Sequence, residues 1–364
     1  MHTSLNKPSI TMSNIPGVIV WGQAICFAVL YAIWALPETI LIRHICLIVG
    51  ALLSLWVICQ YRYLLISIRA IPAWLIVGLF AWATFHLFFL SNDFSAQYEE
   101  FTSIWKRTAM GAVFALGFGI ALQSSLRNKN CKTKPIWALM YLGLLSPTLI
   151  YIAKYILTHK GVQWGWAVPA YWLLYPGSAP FYLPKTAYVC FCIPTLAVAL
   201  GQLVRNIYEH RVASWGNLVY LATIPAVFFV FYGENIKNGM VYGAVLLLVF
   251  LSAFIFNRFA QHWQIKLLVL AVAIGIGGWF VAGNIQMNDS WRTFSADAKV
   301  ALDTTHFEQW KYNGQKGYPN SELGKMVSVT NYERMAWGKT GVMLIVQNPL
   351  GFGLIERSFG RLAK

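Results

Sequence analysis

The sequence predicts an all-α, polytopic membrane protein with about nine transmembrane helices and a large extramembrane segment after the last of them. Three observations support this prediction. Hydrophobic residues make up 58% of the chain and charged residues only 11%, whereas soluble domains carry about a quarter charged residues. Apolar runs of transmembrane length recur along the first 287 residues. Basic residues are concentrated in alternate loops between those runs, as the positive-inside rule requires.

Nine apolar runs are each close to the roughly 20 residues that a helix needs to cross the hydrocarbon core. We place the spans at 16–36, 39–60, 71–90, 106–124, 136–157, 186–204, 215–233, 240–256 and 267–284. The first 15 residues are polar and lack the pattern of a cleavable signal peptide, so the first run should remain as a span. Pro147, Pro194 and Pro225 lie inside spans and predict kinks there.

The loops alternate between basic and non-basic composition, and this alternation predicts the orientation of the chain. The loop at 91–105 contains Asp93, Glu99 and Glu100 but no Lys or Arg. The basic loops follow the even-numbered spans and contain Arg62, Arg69, Arg127, Lys129, Lys132, Lys134, Arg205, Arg211, Arg258 and Lys266. The positive-inside rule therefore places the N-terminus in the cytoplasm and everything after Met287 outside. The net charge of +15 is thus a topology signal, and we expect no nucleic-acid partner.

Two of the predicted outer segments, 158–185 and 288–364, are rich in aromatic residues. A loop as long as the second usually carries function. We therefore divide the chain into a multi-span transmembrane domain, 1–287, and an outer loop region, 288–364, which we expect to contain amphipathic helices.

No cysteine or histidine spacing in the sequence predicts a disulfide framework or a metal site. Five of the six cysteines lie in apolar runs and one lies in a basic loop, so all are expected to be free thiols. They are Cys26, Cys46, Cys59, Cys131, Cys190 and Cys192.

The most informative stretch is 331–353, with the sequence NYERMAWGKTGVMLIVQNPLGFG. Arg334, Trp337, Val342 and Ile345 fall at helical intervals, and Asn348-Pro349 then stops the helix ahead of a Gly-Phe-Gly turn. The apolar run inside it, from Gly341 to Val346, is far too short to cross a bilayer. The pattern predicts an amphipathic helix on the outside of the membrane domain, with the Arg334 guanidinium at its start.

Arg334, Trp337 and the run Pro349-Leu350-Gly351-Phe352-Gly353 resemble the signature of the O-antigen ligase and O-antigen polymerase superfamily of bacterial envelope glycosyltransferases. The resemblance favours the ligase branch. It implies a protein of the bacterial inner membrane whose active site faces the periplasm. Such an enzyme moves a polysaccharide from undecaprenyl diphosphate to the lipid A–core oligosaccharide in lipopolysaccharide biosynthesis, with inversion and without a metal or other cofactor. Arg334 is then the expected catalytic residue, and Trp337 the expected sugar-stacking residue.

Four further cations match basic positions of that family and are expected to bind the diphosphate together with Arg334. Lys106 and Arg107 follow a Trp in EEFTSIWKRTAMG, where the family opens a helix that lines the site. Lys185 stands at the mouth of the sixth span. Lys237 replaces an Arg that the family has in the loop before the eighth span, and it offers a point charge instead of a two-pronged fork.

Each of these cations also has a simpler interpretation. Arg334 could pair with Glu333 or with a lipid phosphate, and Lys106 and Arg107 could reach toward the headgroups of membrane lipids. A single lysine in a loop, such as Lys237, is ordinarily solvated.

The histidines are not expected to be catalytic. His306 is interpreted as a solvated loop residue, and His44 and His86 as packed residues inside spans. The family's essential histidine follows the Gly-x-Gly turn. The resemblance therefore implies that the general base and further spans lie beyond residue 364, and that the sequence is truncated at its C-terminal end.

Two alternative functions remain open. An O-antigen polymerase, which joins lipid-linked repeat units, shares the topology and the basic positions. A transporter or flippase of lipid-linked sugars belongs to another class, in which charges lie mid-membrane in broken helices and internal repeats are common. Here the cations lie at span ends and no repeat is visible, so transport is disfavoured.

Overall fold

The structure, a computed structural model, describes residues 15–127, 133–161, 163–174, 183–209, 211, 214–255 and 292–351, together with the single positions 271, 275, 278, 282 and 359. Regular secondary structure within these ranges is helical, and the β-structure there is limited to isolated bridge residues, such as the pair Asn320 and Met326. The predicted all-α class is therefore confirmed for this part of the chain.

The described α-helices follow one another with short connections. They are α1 (Gly17–Ile33), α2 (Ile40–Gln60), α3 (Ile71–Phe89), α4 (Phe94–Glu100), α5 (Lys106–Arg127), α6 (Thr133–Ile156), α7 (Lys185–Tyr208), α8 (Trp215–Gly233), α9 (Lys237–Ile255), α10 (Phe294–Leu302) and α11 (Val329–Gln347). Short 3₁₀ helices cover Arg62–Ile66, Ile68–Ala70, Ala170–Trp172 and Gln309–Tyr312, and π turns cover Phe101–Trp105 and Leu157–Gly161.

Within the described residues, seven helical segments are long and apolar enough to cross a membrane. They coincide with the predicted spans from the second to the eighth. The first predicted span forms α1, which is apolar but has only 17 residues. The ninth, 267–284, lies outside the described residues except for four single helical positions. The number nine thus stays a prediction.

The segment 91–105 was predicted to be a loop, and this prediction is wrong because most of the segment is helical. The Asp93 side chain accepts a hydrogen bond from the Ala96 amide (3.1 Å) and so caps the start of α4. The π turn Phe101–Trp105 then joins α4 directly to α5. Acidic residues suggested a loop, but the segment contains no Pro or Gly that would interrupt a helix once it has been capped.

By internal contacts the chain divides into two compact units. The first unit comprises the described residues within Met1–Ala73 and Ala109–Leu267, and the second comprises those within Trp74–Thr108 and Leu268–Lys364. The predicted division at residue 287 concerns the position of the membrane and stays a prediction.

In the first unit, α1, α2 and α5 are joined by hydrogen bonds between small polar groups. Gln23 Nε2 donates to Ser54 Oγ (2.7 Å), and Ser54 Oγ donates to the Phe114 carbonyl (3.0 Å). Gly117 lies so close to Ser54 that a Cβ on it would collide with that residue. Close approach over small residues, with polar side chains bridging helices, is typical of helix packing in membranes.

Pro147 lies inside α6, as predicted, and its missing amide is compensated locally. The carbonyl of Gly143, one turn earlier, accepts a hydrogen bond from Ser146 Oγ (2.6 Å). The Pro147 carbonyl itself accepts from the Tyr188 hydroxyl of α7 (2.5 Å). A proline leaves the carbonyl four residues earlier without its helical donor, so the bond from Ser146 to Gly143 explains how α6 continues through Pro147. The bond from Tyr188 joins α6 to α7 at the same point.

The second unit has a small core of its own where α10 packs against α11. Its buried residues are Val300, Ala301, Trp310, Val327, Tyr332 and Ala336. The buried carboxylate of Asp297 on α10 accepts hydrogen bonds from Thr293 Oγ1 (2.8 Å) and from Asn331 Nδ2 (2.9 Å). Asn331 belongs to the first turn of α11, so Asp297 fixes where that helix begins relative to α10.

Candidate functional site

The predicted helix around Arg334 exists, but it begins earlier than expected. α11 starts at Val329, after Ser328 at the N-cap position, so Arg334 is its sixth residue. The placement of the guanidinium at the helix start is therefore wrong. Only the first four amides of a helix lack partners inside it, so the backbone at Arg334 adds no anion-binding amide.

The two faces of α11 differ. Tyr332, Glu333 and Ala336 are buried, whereas Arg334 and Trp337 lie on the exposed face. Residues three apart are neighbours on a helix surface, so Arg334 and Trp337 present a guanidinium and an indole side by side. Trp337 is 40% exposed. The arrangement offers a charged group and a flat aromatic surface to the same ligand.

Glu333, the neighbour with which Arg334 could pair, points into the core of the second unit. Its Oε1 accepts a short hydrogen bond from the Tyr318 hydroxyl (2.6 Å). This bond to the Glu333 carboxylate raises the pKa of Tyr318 to about 12, because the charged acceptor disfavours a second negative charge on the phenol.

The predicted stop and turn after the helix are confirmed as far as Gly351. α11 ends at Gln347, Asn348 occupies the C-cap, and the Gly351 amide donates to the Asn348 carbonyl (2.9 Å). Gly351 has a φ of +90°, which side-chain-bearing residues rarely adopt. Phe352 and Gly353 lie outside the described residues.

Lys106 and Arg107 are the first two residues of α5, as predicted, and α5 continues directly from the π turn. The Lys106 amide donates to the Phe101 carbonyl five residues earlier, and Arg107 Nε donates to the Ser103 carbonyl (2.6 Å). Both side chains are exposed. π turns next to α-helices are frequent at functional sites.

Lys185 and Lys237 both border the turn between α8 and α9. Lys185 Nζ donates to the Glu234 carbonyl (3.0 Å), and the Tyr151 hydroxyl donates to Glu234 Oε1 (3.1 Å). Lys237 is the first residue of α9, two residues after Asn235, which has a φ of +52°. The two lysines are 52 residues apart in the sequence, yet they meet the same three-residue turn.

The six predicted site residues thus fall into two sets. Lys185 and Lys237 belong to the first compact unit. The second unit contains Lys106, Arg107, Arg334 and Trp337.

Lys154 is a cation that the sequence reasoning missed. It is only 2% exposed, and its Nζ donates to the carbonyls of Tyr171 (2.7 Å) and Leu173 (3.5 Å). These bonds tie the 3₁₀ helix Ala170–Trp172 to α6. The sequence does contain a signal for Lys154, since a lone lysine inside an apolar run is costly to bury and usually has a dedicated role.

His306 is exposed, as predicted, with 81% of its side chain accessible. Its Nδ1 lies 2.8 Å from Oδ2 of Asp303, and this contact lowers the pKa of Asp303 to about 2. Because both groups are exposed, the pair resembles an ordinary surface interaction.

The five described cysteines are free thiols, as expected, and Cys131 lies outside the described residues. In the part of the chain that the structure describes, no three His, Cys, Asp or Glu side chains are grouped as a metal site would need.

The fold and the candidate residues together define a helical chain with several helices able to cross a membrane and with two predicted site lysines, Lys185 and Lys237, at one turn between helices. Comparisons of the chain with protein-family models, with curated proteins and with solved structures found no match.

Proposed function

We propose that this chain is an O-antigen ligase-like glycosyltransferase of the bacterial inner membrane, with about nine spans and a periplasmic active site. It would move a polysaccharide from undecaprenyl diphosphate to the lipid A–core oligosaccharide. One observation carries the proposal: Arg334 and Trp337 lie side by side on the exposed face of α11, directly ahead of the glycine turn at Gly351.

Arg334 has the chemistry that a lipid-linked diphosphate needs. A guanidinium keeps its charge at every physiological pH and makes two parallel hydrogen bonds to phosphate oxygens. Negative charge grows on the diphosphate as its bond to the sugar breaks. A donor placed beside those oxygens stabilises that transition state more than the ground state. Arg334 would therefore act on the leaving group.

Trp337 would bind the sugar next to that diphosphate. Its indole is a flat apolar surface one helical turn from Arg334, and such a surface stacks on the apolar face of a sugar ring. The pairing would set the distance between the bound phosphate and the bound sugar.

The remaining predicted cations would also interact with the negatively charged donor. Lys106 and Arg107 are exposed after the π turn, and Lys185 and Lys237 border the Glu234 turn. Each adds positive charge that attracts the donor to the membrane surface. Arg107 and Lys185 also donate to backbone carbonyls, so part of their hydrogen-bonding capacity is used within the protein.

The reaction would be a single displacement. A hydroxyl of the acceptor attacks the anomeric carbon, the bond from that carbon to the diphosphate oxygen breaks, and the configuration inverts. The hydroxyl proton passes to a general base, and undecaprenyl diphosphate leaves. No redox step is involved.

A polymerase that joins lipid-linked repeat units would use the same donor chemistry. Complementation separates the two: the full chain is expressed in one strain that lacks its O-antigen ligase and in another that lacks its polymerase. Restoration of polymer on the lipid A–core in the first strain supports the ligase, and conversion of single repeats to polymer in the second supports the polymerase. Well-inserted protein that restores neither would refute both.

A further inference from the structure

His86, at the end of α3, is buried between Gln97 of α4 and the glycine turn that follows α11. The imidazole is 0% exposed. Its Nδ1 lies 3.3 Å from Gln97 Nε2. On the other side of the ring, a Cβ built on Gly351 would lie only 3.2 Å from Nε2. All three residues belong to the second compact unit.

The contact with Gln97 orients the ring, because its amide group faces Nδ1. The other ring nitrogen, Nε2, has no hydrogen-bond partner among the described residues. A buried polar atom without a partner typically costs about 1–3 kcal/mol, so ordinary core packing gives no reason to prefer a histidine at this position.

The turn is equally constrained from its own side. Gly351 is exposed to solvent yet lies against a fully buried ring, and its φ of +90° already favours glycine. A side chain on Gly351 would meet the ring at once, so in a close-packed interior the imidazole limits how far the turn can move toward α3.

We propose that His86 is a positioning residue, which through Gly351 holds the turn after α11 in the place where the lipid-linked donor binds. That the turn lies where the donor binds rests on the proposed function, whereas the contact between His86 and Gly351 does not. It assigns a role to a histidine of the predicted third span that pattern reasoning treats as packing only.

The test uses the full chain in lipid nanodiscs and four variants. His86→Ala removes the ring, and His86→Gln keeps a polar group of similar reach. Gln97→Leu removes only the hydrogen bond that orients the ring. Thr84→Ala is the matched control, because the Thr84 hydroxyl of α3 donates only to the Phe80 carbonyl of its own helix.

The first measurement is amide hydrogen exchange in the peptide that spans Gly351, whose amide donates to Asn348 in the folded turn. We expect exchange about tenfold faster in His86→Ala and in Gln97→Leu, since local opening controls exchange there. Thr84→Ala should exchange like the wild type, and His86→Gln should lie between. Unchanged exchange in both His86→Ala and Gln97→Leu would overturn the proposal; if His86→Ala does not fold, Gln97→Leu and His86→Gln decide it.

The second measurement separates positioning from general destabilisation. A displaced turn weakens donor binding, so we expect KM for the lipid-linked donor to rise about tenfold in Gln97→Leu with a smaller change in kcat. A lower kcat at unchanged KM would mean that the variant only reduces the folded fraction, and would refute the positioning role. A wild-type protein with no transfer at all would refute the proposed function, while the exchange experiment would still decide whether His86 holds the turn.

Discussion

Predicted site cations lie on the exposed face of α11 and at the turn between α8 and α9, but the surroundings of the cations differ between the two places. At the second place, Lys185 is half-buried and donates to the Glu234 carbonyl, which lies at the C-terminal end of α8. A cation there satisfies an end carbonyl and complements the helix dipole. Arg334 instead stands on an exposed face beside Trp337. The comparison shows that a predicted site cation can lie either half-buried at a helix end or on an exposed helix face next to an aromatic ring.

The largest expected effect concerns Arg334. Arg334→Ala should lower the initial rate of polysaccharide transfer in proteoliposomes at least roughly a hundredfold, because loss of a donor at a developing anion costs about 3 kcal/mol. Arg334→Lys should keep part of the rate, since an ammonium lacks the fork. Added magnesium should rescue neither variant.

The matched control for Arg334 is Lys325→Ala, which removes one exposed positive charge from the same unit. Its transfer rate should stay close to that of the wild type. Near-normal transfer by well-inserted Arg334→Ala protein would contradict the assignment of Arg334 to the leaving group. It would also leave no functional difference between the exposed face of α11 and the turn between α8 and α9.

The next effect distinguishes two glycines of the α11 region. Gly351→Ala should destabilise the turn by about 1–2 kcal/mol, the typical cost of a positive φ in a residue with a side chain, and the contact with His86 should add to it. Gly338→Ala, in the middle of α11 with open space around it, should be neutral or stabilising by up to about 1 kcal/mol. Thermal unfolding of both variants measures the contrast, and equal effects would disprove the constraint on Gly351.

Lys185 gives a smaller effect of a different kind. Lys185→Met should lower the free energy of unfolding by about 1 kcal/mol through loss of one hydrogen bond, with a much smaller loss of transfer rate per folded molecule than in Arg334→Ala. Lys185→Arg should recover most of the loss. A tenfold slower transfer at unchanged stability would instead show that Lys185 meets the ligand, and would remove the difference between the two regions.

The smallest effect concerns the exposed Asp303–His306 pair. The folded-state pKa of Asp303 is about 2, below its usual value of about 3.9. A lowered carboxyl pKa stabilises the fold above the unfolded pKa, and that contribution disappears as the pH falls toward 2. The gap in unfolding temperature between wild type and Asp303→Asn should be small at about pH 5, narrow below about pH 4 and close only below about pH 2. A gap that does not change with pH would contradict the stabilising role.

The spans were predictable because an apolar run of transmembrane length leaves few alternatives to a helix. The segment 91–105 was not, because its acidic residues suggested solvent, while the Asp93 cap and an uninterrupted helical sequence decide its structure. The start of α11 was misplaced for a related reason: Asp297, 34 residues earlier, fixes it by binding Asn331.

The candidate site was predictable residue by residue but not as an arrangement. Arg334, Trp337 and the Gly351 turn come from one local pattern, and the structure keeps them adjacent. Three features depend on contacts between segments that are distant in the sequence. They are the turn that Lys185 and Lys237 share, the position of the His86 ring next to Gly351, and the burial of Lys154. Periodicity reports on the neighbours within one element and carries no information about these contacts.

The π turn at Phe101–Trp105 has a consequence for how this protein can vary. Such a turn holds one residue more than an α-helix of the same rise. Each residue rotates a helix by about 100°. The loss of a single codon within these five would therefore swing Lys106 and Arg107 around the axis by more than a quarter of a revolution, while the apolar length of α5 stayed the same. Such a deletion would leave membrane insertion unchanged but would change the direction in which the two charges point. The orientation of this pair therefore depends on a one-residue insertion that a hydropathy profile does not detect.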